Sequence, residues 1–344
     1  MSNDVWVLGG AGRSGQNITA ALRQRGIEPV LVGRNAATLA AAAVEGTKTV
    51  VAPSIDAIVA EVRRQHPAIV INTIAPFVDT AAALVATGVH YIDIANDVGA
   101  IDTLLDRDAE LAAAGQTAVT GAGFGVTASE SILVKLLEGR STPARVRVDM
   151  IPSMESEAGK VGESLATSLV SGLAYRDRHG SALASHPMRL ALPDGTVVST
   201  ASMPLGDVAA ARHDSQAPTV IAASSMAPTG PIRFALPLAT ALLALPPLRT
   251  VAQRLLARVT VSARPRPREY SWGHAHVEWS DGSVRDGWLR VDDASTFTGT
   301  VPAEIARRLL DGSGRPGAFT PAALFGSTLA EACGAQYVPG FVAA

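Results

Sequence analysis

The chain is 344 residues long, and its 29 Lys+Arg against 31 Asp+Glu leave a formal net charge of −2. That balance argues against a general nucleic-acid binder, which needs a cationic excess to neutralise phosphates. Hydrophobic residues make up 47% and charged residues 17%, enough to bury a sizeable core in about two domains, and the single Cys333 excludes an intrachain disulfide framework or a cysteine-built metal site.

The opening "MSNDVWVLGG" carries an acid and only a short apolar run, which does not read as a signal peptide, so a cytoplasmic location is expected. From there the pattern is strand and helix in alternation. "DVWVLGG", "EPVLVGR", "KTVVA", "AIVINTIAP", "VHYIDIA" and "QTAVTGAG" are short Val/Ile-rich strands. Single helices separate them: "RSGQNITAALRQRG" stopping at Gly26, "NAATLAAAAVEG", "SIDAIVAEVRRQH" with Ser54 as N-cap, "VDTAAALVATG", and one from Val98 to Ala114. Continuous apolar strands joined by single helices mean a parallel sheet buried on both faces. The expected fold class is therefore α/β, with an N-terminal doubly wound Rossmann sheet over residues 1–125.

Beyond Thr127 the pattern changes. A helix "ASESILVKLLEG", a strand "RVRVDMI" and a helix over about 163–176 lead to a hairpin turning at Asp281-Gly282. This predicts a second, α+β domain over 126–315 for substrate and dimer contacts, then a C-terminal helix over 316–344 packing back on the Rossmann domain. The most apolar stretch, Phe234 to Leu248, is too short to span a membrane and is broken by prolines. It reads as a buried helix or as a lipid-facing wall.

The turn "LGGAGRSG" follows the first strand and opens the first helix, with Gly9, Gly10, Gly12, Arg13, Ser14 and Gly15 as the expected cofactor cradle. One glycine makes the tight turn, Gly12 leaves room for a diphosphate, and Gly15 lets the helix close on the sheet. The helix N-terminus supplies free N–H groups and partial positive charge. At the end of strand two, an NAD site places an acid for the ribose 2′-hydroxyl. Here no acid occurs between Val30 and Ala43, and Arg34 stands in that place. A guanidinium suits a 2′-phosphate, so NADP(H) is the expected cofactor, with Arg13 as a second cation.

Three further stretches, "INTIAPF" (71–77), "GVHYIDIAND" (88–97) and "GAGFGVTASE" (121–130), join "GGAGRSG" and "VGRN" in the same order. Over roughly residues 5 to 135 the chain resembles the saccharopine dehydrogenase-like oxidoreductases, a group that includes saccharopine reductases and trans-acting enoyl reductases. The resemblance implies a two-domain, NADP-dependent reductase or dehydrogenase, a homodimer whose second domain covers the nicotinamide. Asn35, in "VGRN", joins the cofactor residues, and Ala75 and Pro76 end strand four, where their backbone either lines the nicotinamide ribose or makes a simple turn. Three positions depart from the family forms: Asn96-Asp97 replaces a Gly-Glu, Ala75 precedes Pro76-Phe77 where a glycine is usual, and Gly125 replaces an aspartate after Phe124.

Hydride transfer needs a proton donor beside the nicotinamide. Strand alternation puts Tyr91 and Asp93 on one face, so Tyr91 is the expected donor and Asp93 its orienting partner, with Asp97 as a substrate contact. The alternative is that Tyr91 and Asp93 are buried braces of the sheet. Glu130 reads as a first-turn acid of its helix and Lys160 as an anion contact. His274, His276 and Glu278 share a strand face, but same-face neighbours about 7 Å apart are loose ligands for one ion, and no metal is expected. The expected activity is NADPH-dependent reduction of an imine, carbonyl or enoyl group on a small or carrier-borne, apolar substrate, without nucleic-acid partners or a transmembrane segment. The alternatives are a non-catalytic NADP-binding redox sensor and a membrane-surface scaffold.

Overall fold

The computed structural model describes residues 3–155, 159–160, 166, 170, 186–228, 242–243 and 245–338. The chain divides into two compact units. The first holds Met1–Ala95, Ala100–Phe124 and Ser295–Phe325; the second holds Asn96–Gly99, Gly125–Ala294 and Gly326–Ala344.

The first unit is built on strands β1 (Val5–Leu8), β2 (Pro29–Gly33), β3 (Thr49–Val51), β4 (Ile69–Asn72), β5 (His90–Asp93) and β6 (Thr117–Val119). They lie in the order β3-β2-β1-β4-β5-β6, all parallel, and the strand Gly317–Phe319 adds beside β6. Val5, Val7, Leu31, Ile69, Ile71 and Ile92 are wholly buried; a strand covered on both faces needs apolar residues at successive positions rather than alternate ones. Helices α1 (Arg13–Gln24), α2 (Ala36–Ala42), α3 (Ile55–Gln65) and α4 (Phe77–Val85) form the crossovers. Asn35 caps α2 and Ser54 caps α3 through their side-chain oxygens. The expected single helix from Val98 is two, α5 (Val98–Leu105) and α6 (Asp108–Ala113). Register aligns Leu8 with Val32 and Asn72, and Asn72 with Asp93. The carboxyl ends of four strands thus form one row where the strand order reverses, the place at which such sheets bind ligands.

The expected boundary at 315 falls inside this unit. Gly299 of the helix Ala294–Leu310 lies so close to α1 that a Cβ there would come within 2.7 Å of Asn17, and Arg25 pairs with Glu304 at 3.1 Å. The expected final helix is interrupted at Gly326, giving short helices Pro321–Phe325 and Thr328–Ala332, and the chain from Gly326 onward belongs to the second unit.

The second unit carries helix α7 (Phe124–Leu137) and strands β7 (Arg145–Ile151), β8 (Gly159–Lys160), β9 (Met188–Ala191), β10 (Val197–Ser202), β11 (Thr219–Ser224), β12 (Thr260–Val261), β13 (Ser271–Glu278) and β14 (Val284–Val291). A mixed sheet runs β9-β10-β11-β7-β13-β14, closed by Gln336–Val338, while β8 and β12 pair separately. Helices α8 (Gly206–Ser215) and α9 (Pro246–Arg258) complete it. Gly273 and Gly287 let α7 press on the sheet: a Cβ at Gly273 would lie 2.6 Å from the Ala128 carbonyl oxygen. On the opposite face Trp272 and Trp288 meet edge-on, their ring centroids 6.1 Å apart. The expected hairpin is β13 and β14, turning through Gly282 at φ 81°. The expected helix over about 163–176, the Lys160 side chain and most of Phe234–Leu248 lie outside the described residues.

Candidate functional site

The glycine turn folds as its residues dictate. Gly9 takes φ 75°, a left-handed conformation that strains any residue with a Cβ. Its N–H and that of Gly10 both donate to the Val32 carbonyl, at 2.9 and 3.2 Å, tying the turn to the end of β2. The Gly12 N–H then donates back to the Gly9 carbonyl at 2.8 Å. Gly15 is where α1 crosses the turn: a Cβ there would lie 2.4 Å from the Gly9 oxygen and 2.8 Å from the Gly10 Cα. Around Gly12 a Cβ would meet only the Gly9 oxygen, at 3.2 Å. Gly12 is also the N-cap of α1, without a side-chain cap and without an acid in the first turn. The first-turn N–H groups of Arg13, Ser14 and Gly15 therefore receive no capping bond, and the helix's positive end is left uncompensated beside the row of strand ends. That is the electrostatic form of a diphosphate site.

Arg34 is exposed directly after β2. Asn35 follows, and its Oδ1 accepts from the N–H groups of Ala37 and Thr38 at 2.8 and 3.1 Å. Its side-chain oxygen is thereby occupied as the cap of α2. After β4, Ala75 is half-buried and Pro76 exposed, and the loop holding them is pinned by Asn72, whose Oδ1 accepts from the Ile74 N–H at 3.0 Å. The Asn72 amide donates to Thr80 Oγ1 at 2.9 Å and to the Tyr91 hydroxyl at 3.1 Å.

Those bonds fix the surroundings of Tyr91. It is wholly buried in the apolar cluster that includes Trp6, Leu8, Val70 and Leu84. Its phenol braces Asn72, and through Asn72 the loop to Pro76, rather than facing an open surface. Asp93 is 1% exposed. Its Oδ1 accepts from the Ala95 N–H at 2.9 Å, the Gly121 N–H at 3.1 Å and the Thr120 hydroxyl at 2.9 Å, which ties the end of β5 to the end of β6. Burial pushes the Asp93 carboxyl up to about 6 against these hydrogen bonds and a contribution from Tyr91. Both residues are buried, and Tyr91 is a hydrogen-bonding neighbour of Asp93.

In the second unit, Asn96 and Asp97 are held against the start of α8: the Gly206 N–H donates to the Asn96 carbonyl at 3.1 Å, and Asp97 bridges to the N-cap Leu205. Gly125 lies at the start of α7, and the space beside it is taken from three sides. A Cβ there would come 2.6 Å from Met150 Sδ, 3.4 Å from Asn96 Oδ1 and 3.6 Å from Asp207 Oδ2. Asp207, in the first turn of α8, therefore brings a carboxyl beside Gly125. It is 3% exposed. Ser129 donates to its Oδ1 at 2.7 Å, while Oδ2 has no partner among the described residues. Burial raises its pKa, and the nearby Asp149 charge adds to the rise. Nothing local in the sequence marks Asp207, which lies far from Gly125 along the chain. Glu130 is buried well inside α7 rather than in its first turn, so the helix-dipole reading of that residue is corrected.

The strand histidines sit in a charged ladder across β13, β14, β7 and β10. His274 lies between two carboxylates: Nδ1 is 3.0 Å from Asp149 and Nε2 is 3.0 Å from Asp286. Asp286 also meets His276 Nδ1 at 3.0 Å, and His276 Nε2 is 3.3 Å from Glu278. Arg147 donates to Asp149 at 2.8 Å and to Thr200 at 3.0 Å. Burial works against charge on His274, but the hydrogen bonds and charges of Asp149 and Asp286 outweigh it and hold the imidazole at about 9. Asp149 is correspondingly held well below the usual carboxylate range despite its burial. Among the described residues no group of three or more His, Cys, Asp or Glu has the arrangement of a metal site.

No protein-family model matches the chain, and no curated protein matches it in sequence. Solved structures do match in fold. Saccharopine dehydrogenase (L-Glu forming) from Saccharomyces cerevisiae is similar at a TM-score of 0.59 and 13% identity, over 98% of this chain and 100% of that one. Less similar are the WlbA dehydrogenase from Thermus thermophilus in complex with NAD and α-ketoglutarate and a myo-inositol dehydrogenase from Corynebacterium glutamicum. The first has a TM-score of 0.41 and 16% identity, covering 92% and 90% of the two chains. The second has a TM-score of 0.43 and 12% identity, covering 99% and 100%. At 13% identity the likeness to the S. cerevisiae enzyme establishes the architecture: a Rossmann-type parallel sheet followed by a second, mixed α/β unit.

Proposed function

We propose that the chain is an NADP(H)-dependent oxidoreductase of the saccharopine dehydrogenase-like group, reducing an imine, carbonyl or enoyl group on a small or carrier-borne, apolar substrate. The observation that carries this reading is the uncapped start of α1, with the open backbone of Gly12 beside it, at the point where the strand order reverses. Gly9, Gly10, Gly12, Arg13, Ser14 and Gly15 would hold the diphosphate, Arg34 and Asn35 the adenosine end, and the Ala75–Pro76 loop the nicotinamide ribose. The S. cerevisiae enzyme with this fold is itself named a dehydrogenase, which supports the same class of chemistry.

When bound, the dinucleotide supplies the hydride. The chain must supply a proton to the nitrogen or oxygen that gains electrons, or to the carbon of an enolate. Both Tyr91 and Asp207 are buried, but the Tyr91 hydroxyl is engaged with Asn72, whereas one Asp207 carboxyl oxygen has no partner among the described residues. Asp207 is the donor in this proposal: Ser129 orients one oxygen, the other has no partner among the described residues, and burial raises its pKa, which favours the protonated acid. Asp97 contacts the substrate, and Asp93 holds the ends of β5 and β6. The test is NADPH oxidation against a panel of imines, 2-oxo acids, aldehydes and enoyl thioesters. Turnover of one class with NADPH preferred over NADH supports the proposal. Tight NADPH binding with no turnover in any class would favour the redox-sensor reading instead.

A further inference from the structure

Between Asp214 and Glu269 the sequence contains no acidic residue and seven arginines, in a chain whose overall charge is −2. The helix α9 lies within this segment, starts with Pro246 and Pro247, and has no buried residue. Leu245, Leu248, Val251, Leu255 and Val259 are each between 42 and 60% exposed. Leu248, Val251, Leu255 and Val259 follow one another at spacings of three or four, which places them along one stripe of the helix and its end. Arg254 and Arg258 lie along an edge of that stripe, and Arg264 follows. None of these three guanidiniums meets a carboxylate among the described residues. Ala252, Leu256 and Ala257, on the other side, are half-buried. The helix therefore packs weakly inward and turns leucine, valine and arginine outward.

An ordinary surface helix does the reverse: it buries its apolar stripe and shows mixed charge to water. A long apolar stripe exposed beside a single sign of charge fits a surface that is apolar inside and negative at its rim. We propose that α9 is an interfacial helix which lies in the plane of an anionic lipid bilayer, Leu248, Val251 and Leu255 entering the acyl boundary and Arg254 and Arg258 meeting the headgroup phosphates. At about 1.5 Å per residue the helix is roughly 20 Å long, shorter than the hydrocarbon core of about 30 Å, so it lies on the membrane rather than crossing it. No helix among the described residues is long and apolar enough to cross. The proposal goes beyond the oxidoreductase reading and does not depend on it.

The test is co-sedimentation of the full chain with sucrose-loaded vesicles of phosphatidylcholine alone and of phosphatidylcholine mixed with phosphatidylglycerol. The protein is expected to pellet with the mixed vesicles and to be released by high salt. Arg254→Gln with Arg258→Gln should weaken that binding by about 25-fold, at roughly fivefold per lost arginine. Leu248→Asp with Val251→Asp and Leu255→Asp should weaken it by at least about tenfold, with the circular dichroism spectrum and melting temperature unchanged, because these side chains already face water. Protein that stays in the supernatant with both vesicle types overturns the proposal. So does equal binding to both types, or mixed-vesicle binding indifferent to either variant. Light scattering supplies the remaining outcome: if the wild type does not pellet and the aspartate variant dissociates a dimer, the stripe joins two copies of this chain and the lipid proposal fails.

Discussion

Gly12→Ala separates the two reasons for which a glycine turn is built. In this protein Gly12 has φ −78° and ψ 163°, a conformation open to any residue. The added methyl would meet only the Gly9 carbonyl oxygen, at 3.2 Å, a contact relieved by a shift of a few tenths of an ångström. The fold should therefore accept alanine at almost no cost, since stiffening the unfolded chain contributes about 0.4–1 kcal/mol in the opposite direction. A bound diphosphate would approach the same backbone, and a methyl there pushes it off the first-turn N–H groups. Losing one charge-assisted hydrogen bond, at about 1.5–3 kcal/mol, raises the Kd for NADPH by roughly 10- to 100-fold. Gly15→Ala is the contrasting variant: its methyl would meet backbone at 2.4 and 2.8 Å, so it should lose stability as well as affinity. Isothermal titration with NADPH and thermal unfolding, run on both variants, provide the comparison. Wild-type NADPH affinity in Gly12→Ala would refute the reasoning, because it would mean that no ligand comes near that backbone.

Tyr91→Phe should lower stability by about 1–2 kcal/mol, the cost of removing one buried partner of Asn72; turnover reduced by orders of magnitude with unchanged stability would restore Tyr91 as proton donor. Asp207→Asn should cut kcat while leaving NADPH affinity and the melting temperature near wild type; an unchanged kcat would remove Asp207 from the chemistry. The His274 pKa is raised from an ordinary value of 6.5 to about 9, so its ion pairs stabilise the folded state fully below pH 6.5 and progressively less as pH rises through 9. The shift corresponds to about 3 kcal/mol. Urea unfolding of the second unit should show a loss of that order between pH 6.5 and pH 9.5, and His274→Gln should flatten it; a wild-type profile flat over that window contradicts the ladder.

The parallel sheet was legible because strands buried on both faces leave continuous apolar runs, and because glycines with positive φ punctuate the turns. Gly9 and Gly15 were legible for the same reason, since backbone crowding leaves a mark on the residue itself. Alternation correctly paired Tyr91 with Asp93 on one face, but it carries no information about which face of a doubly covered sheet holds open space. Three-residue strands such as Gly317–Phe319 fall below any periodic signal, which is why the expected boundary at 315 missed the return of Ser295–Phe325 to the first unit. Asp207 and the partners of His274 are assembled by tertiary pairing. His274 faces Asp149 only because β13 runs antiparallel to β7 in that register, and no local spacing encodes such a match.

Titration calorimetry of the purified chain with NADPH and NADH, repeated on Arg34→Asp, probes the dinucleotide cradle and the 2′-phosphate contact together. NADPH should bind at least about tenfold more tightly than NADH, and Arg34→Asp should remove this preference by weakening NADPH alone. Absence of measurable binding for either dinucleotide would rule out a nicotinamide cofactor at the glycine turn, and equal losses for both in the variant would rule out Arg34 as the 2′-phosphate contact.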